Sequence, residues 1–276
     1  MHTTASDGRL APGELVVRAA TAGLTTISVT DHDTVAAIAE TTAIARTAGI
    51  RVIPGIEITA VEDNRDVHML GYFFDPASER LGEFLVSQRE RRVTRVRAIA
   101  ERLAAARMFI DVESLLKAAA ERPGSSIGRP QIARAMVRGG HVGSVQEAFE
   151  LWLASGRPGF VPRLGPNTAT VVDIIHQAGG LASFAHPGVT KRDDLIEPLA
   201  SCGLDAIEVY HSDHTQEDTT AYRRQAARLG LLVTGGSDFH GEDASKPERA
   251  RRAIFGAIGL PPSDFVALEQ RSRVTH

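Results

Sequence analysis

The 276-residue chain contains a single cysteine, Cys202. A lone thiol cannot form an internal disulfide, which suits a reducing compartment, and without a second thiol it makes a poor zinc ligand. Excess charge of one sign is also lacking. Thirty-one Lys and Arg against 34 Asp and Glu leave a net charge of −3, so no global basic field argues for duplex DNA or an anionic membrane. No apolar run approaches the roughly 20 residues of a membrane span, and no secretory leader is evident. Low-complexity segments are missing as well. These absences lead us to expect a soluble cytoplasmic protein.

What the chain does have is a repeated unit and, at 43% hydrophobic residues, enough apolar side chain for a large core. Five times, a helix-like segment ends in glycine and is followed by a short apolar run and then polar residues. The units are APGELVVRAATAG with LTTISVTDHD, TVAAIAETTAIARTAG with IRVIPGIE, TVVDIIHQAGG with LASFAHPG, LIEPLASCG with LDAIEVYHSDH, and AYRRQAARLG with LLVTGGSDFH. The glycines (Gly23, Gly49, Gly179, Gly203 and Gly230) stand where a helix calls for a left-handed C-terminal residue. The apolar runs suit strands buried on both faces, and the alternation predicts a parallel α/β sheet, open or closed into a barrel. VHMLGYFF (67–74) reads as one further strand.

The middle of the chain breaks this rhythm. From about Asp75 to Pro166 it is helical and arginine-rich, and it is interrupted by RPGSSIGRP and GRPGFVPRLGP. We expect a first part of the sheet over 1–75, a helical insertion over 76–166, and a second part of the sheet over 167–276. The cluster Arg89, Arg91, Arg92, Arg95 and Arg97 reads first as a solvated helix face, with steering of an anionic substrate as the second reading.

Chemistry in parallel α/β folds gathers where strands end. Those ends carry His32 in TDHD, Glu57 in PGIE, His186 in AHPG, and Asp238 and His240 in GGSDFH, while His68 lies within VHMLGY. Ionisable groups sit at such places when they are paired or bind metal. Imidazole and carboxylate without thiolate suit manganese, zinc or iron. With His2 and Asp7 of the opening MHTTASDG there are eight candidate ligands, more than one ion needs, so two or three ions are implied, with Glu57 as the natural bridge. Ions that close together activate water and stabilise charge on a phosphoryl oxygen. GGSDFH lacks the G-x-S-x-G nucleophile elbow, and no Ser-His-Asp arrangement is evident.

HTTASDG, TDHD, PGIE, AHPG and GSDFH, in this order and spacing, resemble the motifs of the PHP (polymerase and histidinol phosphatase) family over nearly the whole chain. The resemblance implies a distorted (β/α)7 barrel with a trinuclear site at its C-terminal edge, Mn2+ being the favoured ion and Zn2+ or Fe2+ the alternatives. In that arrangement His2, Glu57 and Asp238 share a first ion, while Asp7, His32 and His240 hold a second. Glu57 bridges to a third, completed by His68 and His186. Asp7, His32, Glu57 and His240 are the expected catalytic residues, serving a metal-activated hydroxide that attacks phosphorus in line. The family's first histidine would stand two residues before His2, and its strand would precede Met1. We therefore expect either a start further upstream, which the otherwise intact ligand set favours, or a first site short of one imidazole.

The branch with a helical insertion implies a 3′,5′-nucleoside bisphosphate phosphatase or an enzyme trimming short RNA from its 5′ end. Its partner would be a nucleotide or short RNA, with no role for duplex DNA or a membrane. SSIGRPQIARAMV resembles the segment that sets an arginine over the substrate phosphate, which nominates Arg129, with Arg157 of SGRPGFVPR second. His214 is expected to face the substrate. His211 is less persuasive, and His141 and His176 read as helix or loop residues. The rivals are a histidinol-phosphate phosphatase and a non-catalytic PHP module with a partner-binding role.

Overall fold

Each helix-then-strand unit of the sequence forms a helix and a strand in the protein. The computed structural model describes residues 1–121, 124, 126–241 and 255–274; Arg122, Pro123 and Ser125 of the RPGSSIGRP joint lie outside them. Six strands make one sheet in chain order: β1 (Thr26–Val29), β2 (Arg51–Glu62), β3 (Arg65–Tyr72), β4 (Leu181–Phe184), β5 (Ala206–His211) and β6 (Leu232–Gly236). The five unit glycines all have positive φ, from 68° to 95°, so each ends its helix in the left-handed conformation that side chains resist.

The sheet departs from the expected all-parallel order at one strand. β1 runs parallel to β2, and β4, β5 and β6 run parallel to one another, but β3 is antiparallel to both its neighbours. The cause is local. Asp63 and Asn64, both at positive φ (49° and 61°), close a two-residue hairpin between β2 and β3. The described residues supply six strands, one fewer than the family barrel was expected to have.

One face of the curled sheet packs under the helices through Ile56, Ile58, Met69, Phe184, Ile207 and Val209, all buried. On the other side Ser28, Glu57, Glu208 and Thr234 line a largely apolar cavity of about 420 Å³, bounded by the outer strands β1 and β6. The Oγ of Ser28 is buried there without a partner.

Helix α1 (Pro12–Thr21) and helix α2 (Ile38–Thr47) flank β1. The long helix α3 (Glu79–Ala105) starts at Ser78, whose side chain accepts from Leu81 N. Its first turns place Leu81 and Leu85 in the main core, while Val96, Ile99 and Leu103 belong to a second core. That second core is shared with α4 (Val112–Ala120), α5 (Arg129–Arg138) and α6 (Val145–Ala148), which runs into a π-helical turn at Phe149–Leu153.

Candidate metal centre

The chain's first residues do not fray. His2 N donates to Phe239 O at 2.9 Å, and Thr30 N donates to Met1 O at 2.8 Å, so Met1 and His2 lie between the ends of β1 and β6. Arg9 N donates to His240 O at 2.9 Å, closing the loop against the residues after β6. His2 is consequently buried, 1% exposed, and directed into the structure.

Eight ligand-type side chains converge there. Glu57, midway along β2 and 2% exposed, is the centre. Its Oε2 lies 3.0 Å from His2 Nε2 and 3.8 Å from His32 Nδ1, and its Oε1 lies 2.6 Å from His68 Nδ1 and 3.2 Å from His186 Nε2. Asp238 Oδ1 is 3.1 Å from His2 Nε2, and Asp7 Oδ1 is 3.2 Å from His240 Nε2. Three groups have ligand atoms within 4.8 Å of one another: His2, Asp7, His32 and His240; His32, Glu57 and His68; and His2, Glu57 and Asp238.

The residues fit a set of divalent cations. Both ring nitrogens of His2 and Nδ1 of His32 are buried without an aligned hydrogen bond, although carboxylate oxygens stand close by. Close approach without hydrogen-bond alignment is what ligands aimed at a shared cation look like. The protonation pattern points the same way. Burial opposes charge on Glu57, yet His32, His68, His186 and His2 outweigh it and hold the carboxyl well below its ordinary range. Asp7 is likewise held low, burial being outweighed by His240 and His32. Burial lowers His2 and His186, but the adjoining carboxylates more than compensate and raise them to about 10 and about 9. Burial prevails at His32, which falls to about 3. In the metal-free protein the cluster thus keeps protons at His2 and His186 as its positive charge. His186 (φ 27°) and Asp238 (φ 50°) hold left-handed backbone conformations, strain of the kind that collects at functional sites.

Beside this cluster lies a cavity of about 200 Å³ with a second character. Asp7, His32 and His68 line one wall, and Arg92, Arg95, Arg129 and Arg163 line the other. Arg92 Nε donates to Asp33 Oδ2 at 2.6 Å, and Arg163 Nη1 donates to the same oxygen at 3.3 Å. Arg129 Nη2 donates to Asp66 Oδ2 at 3.1 Å, with Arg163 Nε and Arg95 Nη1 at 3.6 and 3.9 Å from that carboxylate. Four guanidinium groups share two carboxylates, so positive charge is in excess. Burial and the neighbouring Arg129 lower Arg95 to about 10, and burial and Arg92 do the same to Arg163. The Arg129 guanidinium also stands 5.8 Å from the ring centroids of both Phe149 and Phe160.

Arg92 and Arg95 correct the expectation of a solvated arginine face. They lie on the α3 stripe that runs Leu81, Leu85, Gln88, Arg92, Arg95 and Ile99, whose apolar members and Gln88 are buried. Charged residues in register with an apolar helical stripe were the available signal. Arg97 does face solvent, paired with Glu113. Arg163, Asp33 and Asp66 carry no signal in the sequence; Asp66 comes from the start of β3, and Asp33 and Arg163 come from loops.

Two expected substrate residues lie elsewhere. His214 is buried, its Nδ1 bonded to Val209 O at 2.8 Å and its Nε2 accepting from Gly188 N at 3.2 Å. Both ring nitrogens are spent on backbone, so the ring secures a loop. Arg157 is exposed on the turn after the π-helix and does not line the cavity. His211, set aside earlier, is buried with Nε2 at 3.9 Å from Asp238 Oδ2. His176 pairs with Asp205 at 2.7 Å, away from the cluster.

Comparison with known proteins bears on this geometry. The PHP domain model matches residues 1–136. The 5′-3′ exoribonuclease Rnm of Salmonella typhimurium is 37% identical over 248 residues, covering 87% of this chain and 83% of that protein. The chain belongs to the PHP family. A second PHP relative, the 3′,5′-nucleoside bisphosphate phosphatase of Chromobacterium violaceum, is 32% identical over 266 residues, covering 95% of this chain and 91% of its own. Among solved structures, one assigned as a metal-dependent phosphoesterase of Bifidobacterium adolescentis superposes with a TM-score of 0.86 at 32% identity, covering 98% of this PHP chain and 94% of its own. This PHP protein is accordingly a hydrolase of phosphate esters, with a side-chain set suited to divalent metals. No described helix is long and apolar enough to cross a membrane.

Proposed function

We propose that this phosphoesterase acts on a nucleotide carrying two phosphates, a 3′,5′-nucleoside bisphosphate, or on the phosphorylated 5′ end of a short RNA. The observation that carries the reading is the shared cavity, with the carboxylate–imidazole cluster on one wall and the arginine excess on the other. A substrate with one phosphate to be cut and a second anion to be held matches both walls. The Chromobacterium and Salmonella relatives bear the names of two such activities.

His2, Asp7, His32, Glu57, His68, His186, Asp238 and His240 would hold two or three ions, manganese first. Bound ions supply an activated water and neutralise charge on the phosphoryl oxygens. The chain's own residues do the rest. Arg129, joined by Arg92, Arg95 and Arg163, binds the non-reacting phosphate through planar, always-charged forks and sets the orientation of the ester. A site histidine that holds no ion, or a bound water, would supply the proton for the leaving alkoxide. Residues 76–166 act as the cap that brings the arginine wall over the substrate.

Histidinol phosphate fits less well, because its amine is cationic and would face the arginine wall. The test is phosphate release, in Mn2+, from a nucleoside 3′,5′-bisphosphate, a 5′-phosphorylated oligoribonucleotide, histidinol phosphate and p-nitrophenyl phosphate. The first two should have the highest kcat/KM. Preference for histidinol phosphate would overturn the reading.

A further inference from the structure

His2 and Asp7 bracket a short loop, and both sit in the cluster. Besides the backbone bonds to Phe239, Thr30 and His240, one residue to which the metal centre assigns nothing holds that loop. Asp31, 1% exposed, directs both carboxylate oxygens at the loop between them. Thr3 N donates to its Oδ1 at 2.7 Å, Thr3 Oγ1 to its Oδ2 at 2.7 Å, and Ser6 Oγ to its Oδ1 at 2.6 Å. Thr3 Oγ1 in turn accepts from Ala5 N at 3.1 Å, which tightens the turn between the two ligands. Asp31 is itself fixed: its carbonyl accepts from Glu57 N at 3.2 Å, and His32 follows it in the chain.

We propose that Asp31 is a positioning residue that registers the His2–Asp7 loop on the β1–β2 edge and so sets two ligands relative to Glu57 and His32. The proposal rests on the metal-centre reading above. The carboxylate receives all three loop groups as donors, two of them on Oδ1. An amide of the same shape could keep Oδ1 for Thr3 N and Ser6 Oγ but would have to turn the Thr3 hydroxyl from donor to acceptor, and it lacks the negative charge that strengthens these bonds.

The test compares the parent protein with Asp31→Asn, with Ser6→Ala as a milder variant that removes one of the three donors and keeps the carboxylate. Two readouts are used: Mn2+ titration, and hydrogen exchange of the Thr3 and Ser6 amides in the metal-free protein. In Asp31→Asn these amides should exchange faster. Part of the Mn2+ binding should weaken by about tenfold to a hundredfold, the scale of an outer-sphere loss, while the ion served by His68 and His186 keeps its affinity. Ser6→Ala should shift both readouts the same way by less, and it decides the matter if Asp31→Asn does not fold. Unchanged exchange overturns the proposal, as does faster exchange with every ion bound as in the parent, or equal weakening of all ions. A parent protein that takes up no Mn2+ would instead defeat the metal-centre reading, and the exchange data would still judge the anchoring by Asp31.

Discussion

His2 Nε2 lies 3.0 Å from Glu57 Oε2, so the second residue of the chain touches the middle of the second strand. The other Glu57 oxygen faces His68 and His186. One carboxylate thus has a different set of imidazoles on each oxygen.

Glu57→Gln should therefore be among the most damaging single changes. It removes the one anion common to both sets and leaves an amide N–H against imidazole. We expect loss of at least one metal equivalent after dialysis and a fall in turnover of at least about a hundredfold, the scale of losing one preorganised electrostatic group. Elemental analysis with a phosphate-release assay checks this. A variant with full metal content and parental rate would remove Glu57 from the bridging role.

Arg129→Ala should separate substrates. A charge-assisted contact to phosphate is worth about 1.5–3 kcal/mol, or roughly tenfold to a hundredfold in kcat/KM. The loss should appear on a nucleoside bisphosphate and be small on p-nitrophenyl phosphate, which has no second anion. Equal losses on both would make Arg129 a support for β3 at Asp66.

The metal-free protein should be most stable near neutral pH. His2 and His186 are raised from 6.5 to about 10 and about 9, so their contribution is complete below 6.5 and disappears as pH climbs through those values. His32, lowered to about 3, works in the opposite direction: the unfolded chain takes up its proton near 6.5 and the folded one does not, which costs stability on acidification. Melting temperature in EDTA should accordingly fall on both sides of neutrality. Saturating Mn2+ should flatten the alkaline limb, since the ions replace the protons. A melting temperature in EDTA that stays level from pH 7 to 10 would contradict the charge assignment.

Gly55→Ala probes the strand that carries Glu57. A Cβ there would run into Ser28 Oγ and stand 2.8 Å from the carbonyl oxygen of Val29, so β1 and β2 would have to part. Overpacking of this kind costs about 1–3 kcal/mol. Denaturant unfolding should show it, and metal affinity should drop with it because His32 follows β1. A variant as stable as the parent would mean that the two strands yield easily.

Much of this arrangement was legible in residue order. Helix-ending glycines and short apolar runs gave the strands, and His32, Glu57, His186, Asp238 and His240 stood out because ionisable groups are costly at buried strand ends, while His2 and Asp7 were legible only through the family motif. The reversed strand was hidden because Val67–Tyr72 is apolar whichever way it runs, and only Asp63–Asn64 encodes the turn. The arginine wall was hidden for a different reason. Arg92 and Arg95 look like the exposed arginines beside them, and their partners Asp33 and Asp66 arrive from distant parts of the chain. His214 misled because its place after a strand resembles that of a ligand, while its hydrogen bonds go to backbone.

Helix α3 also bears on modularity. Its first turns carry Leu81 and Leu85 in the sheet's core, Gln88 Nε2 donates to Thr59 O at 3.2 Å within β2, and its last turns hold the core beneath the arginines. At about 1.5 Å per residue, such a helix is a single rod of roughly 40 Å. A rod with one end in each core makes their melting a common event, so the segment that bears the arginines is not a detachable accessory. Trimming it away would take two leucines out of the sheet's packing, and grafting it elsewhere would leave half of its apolar stripe bare.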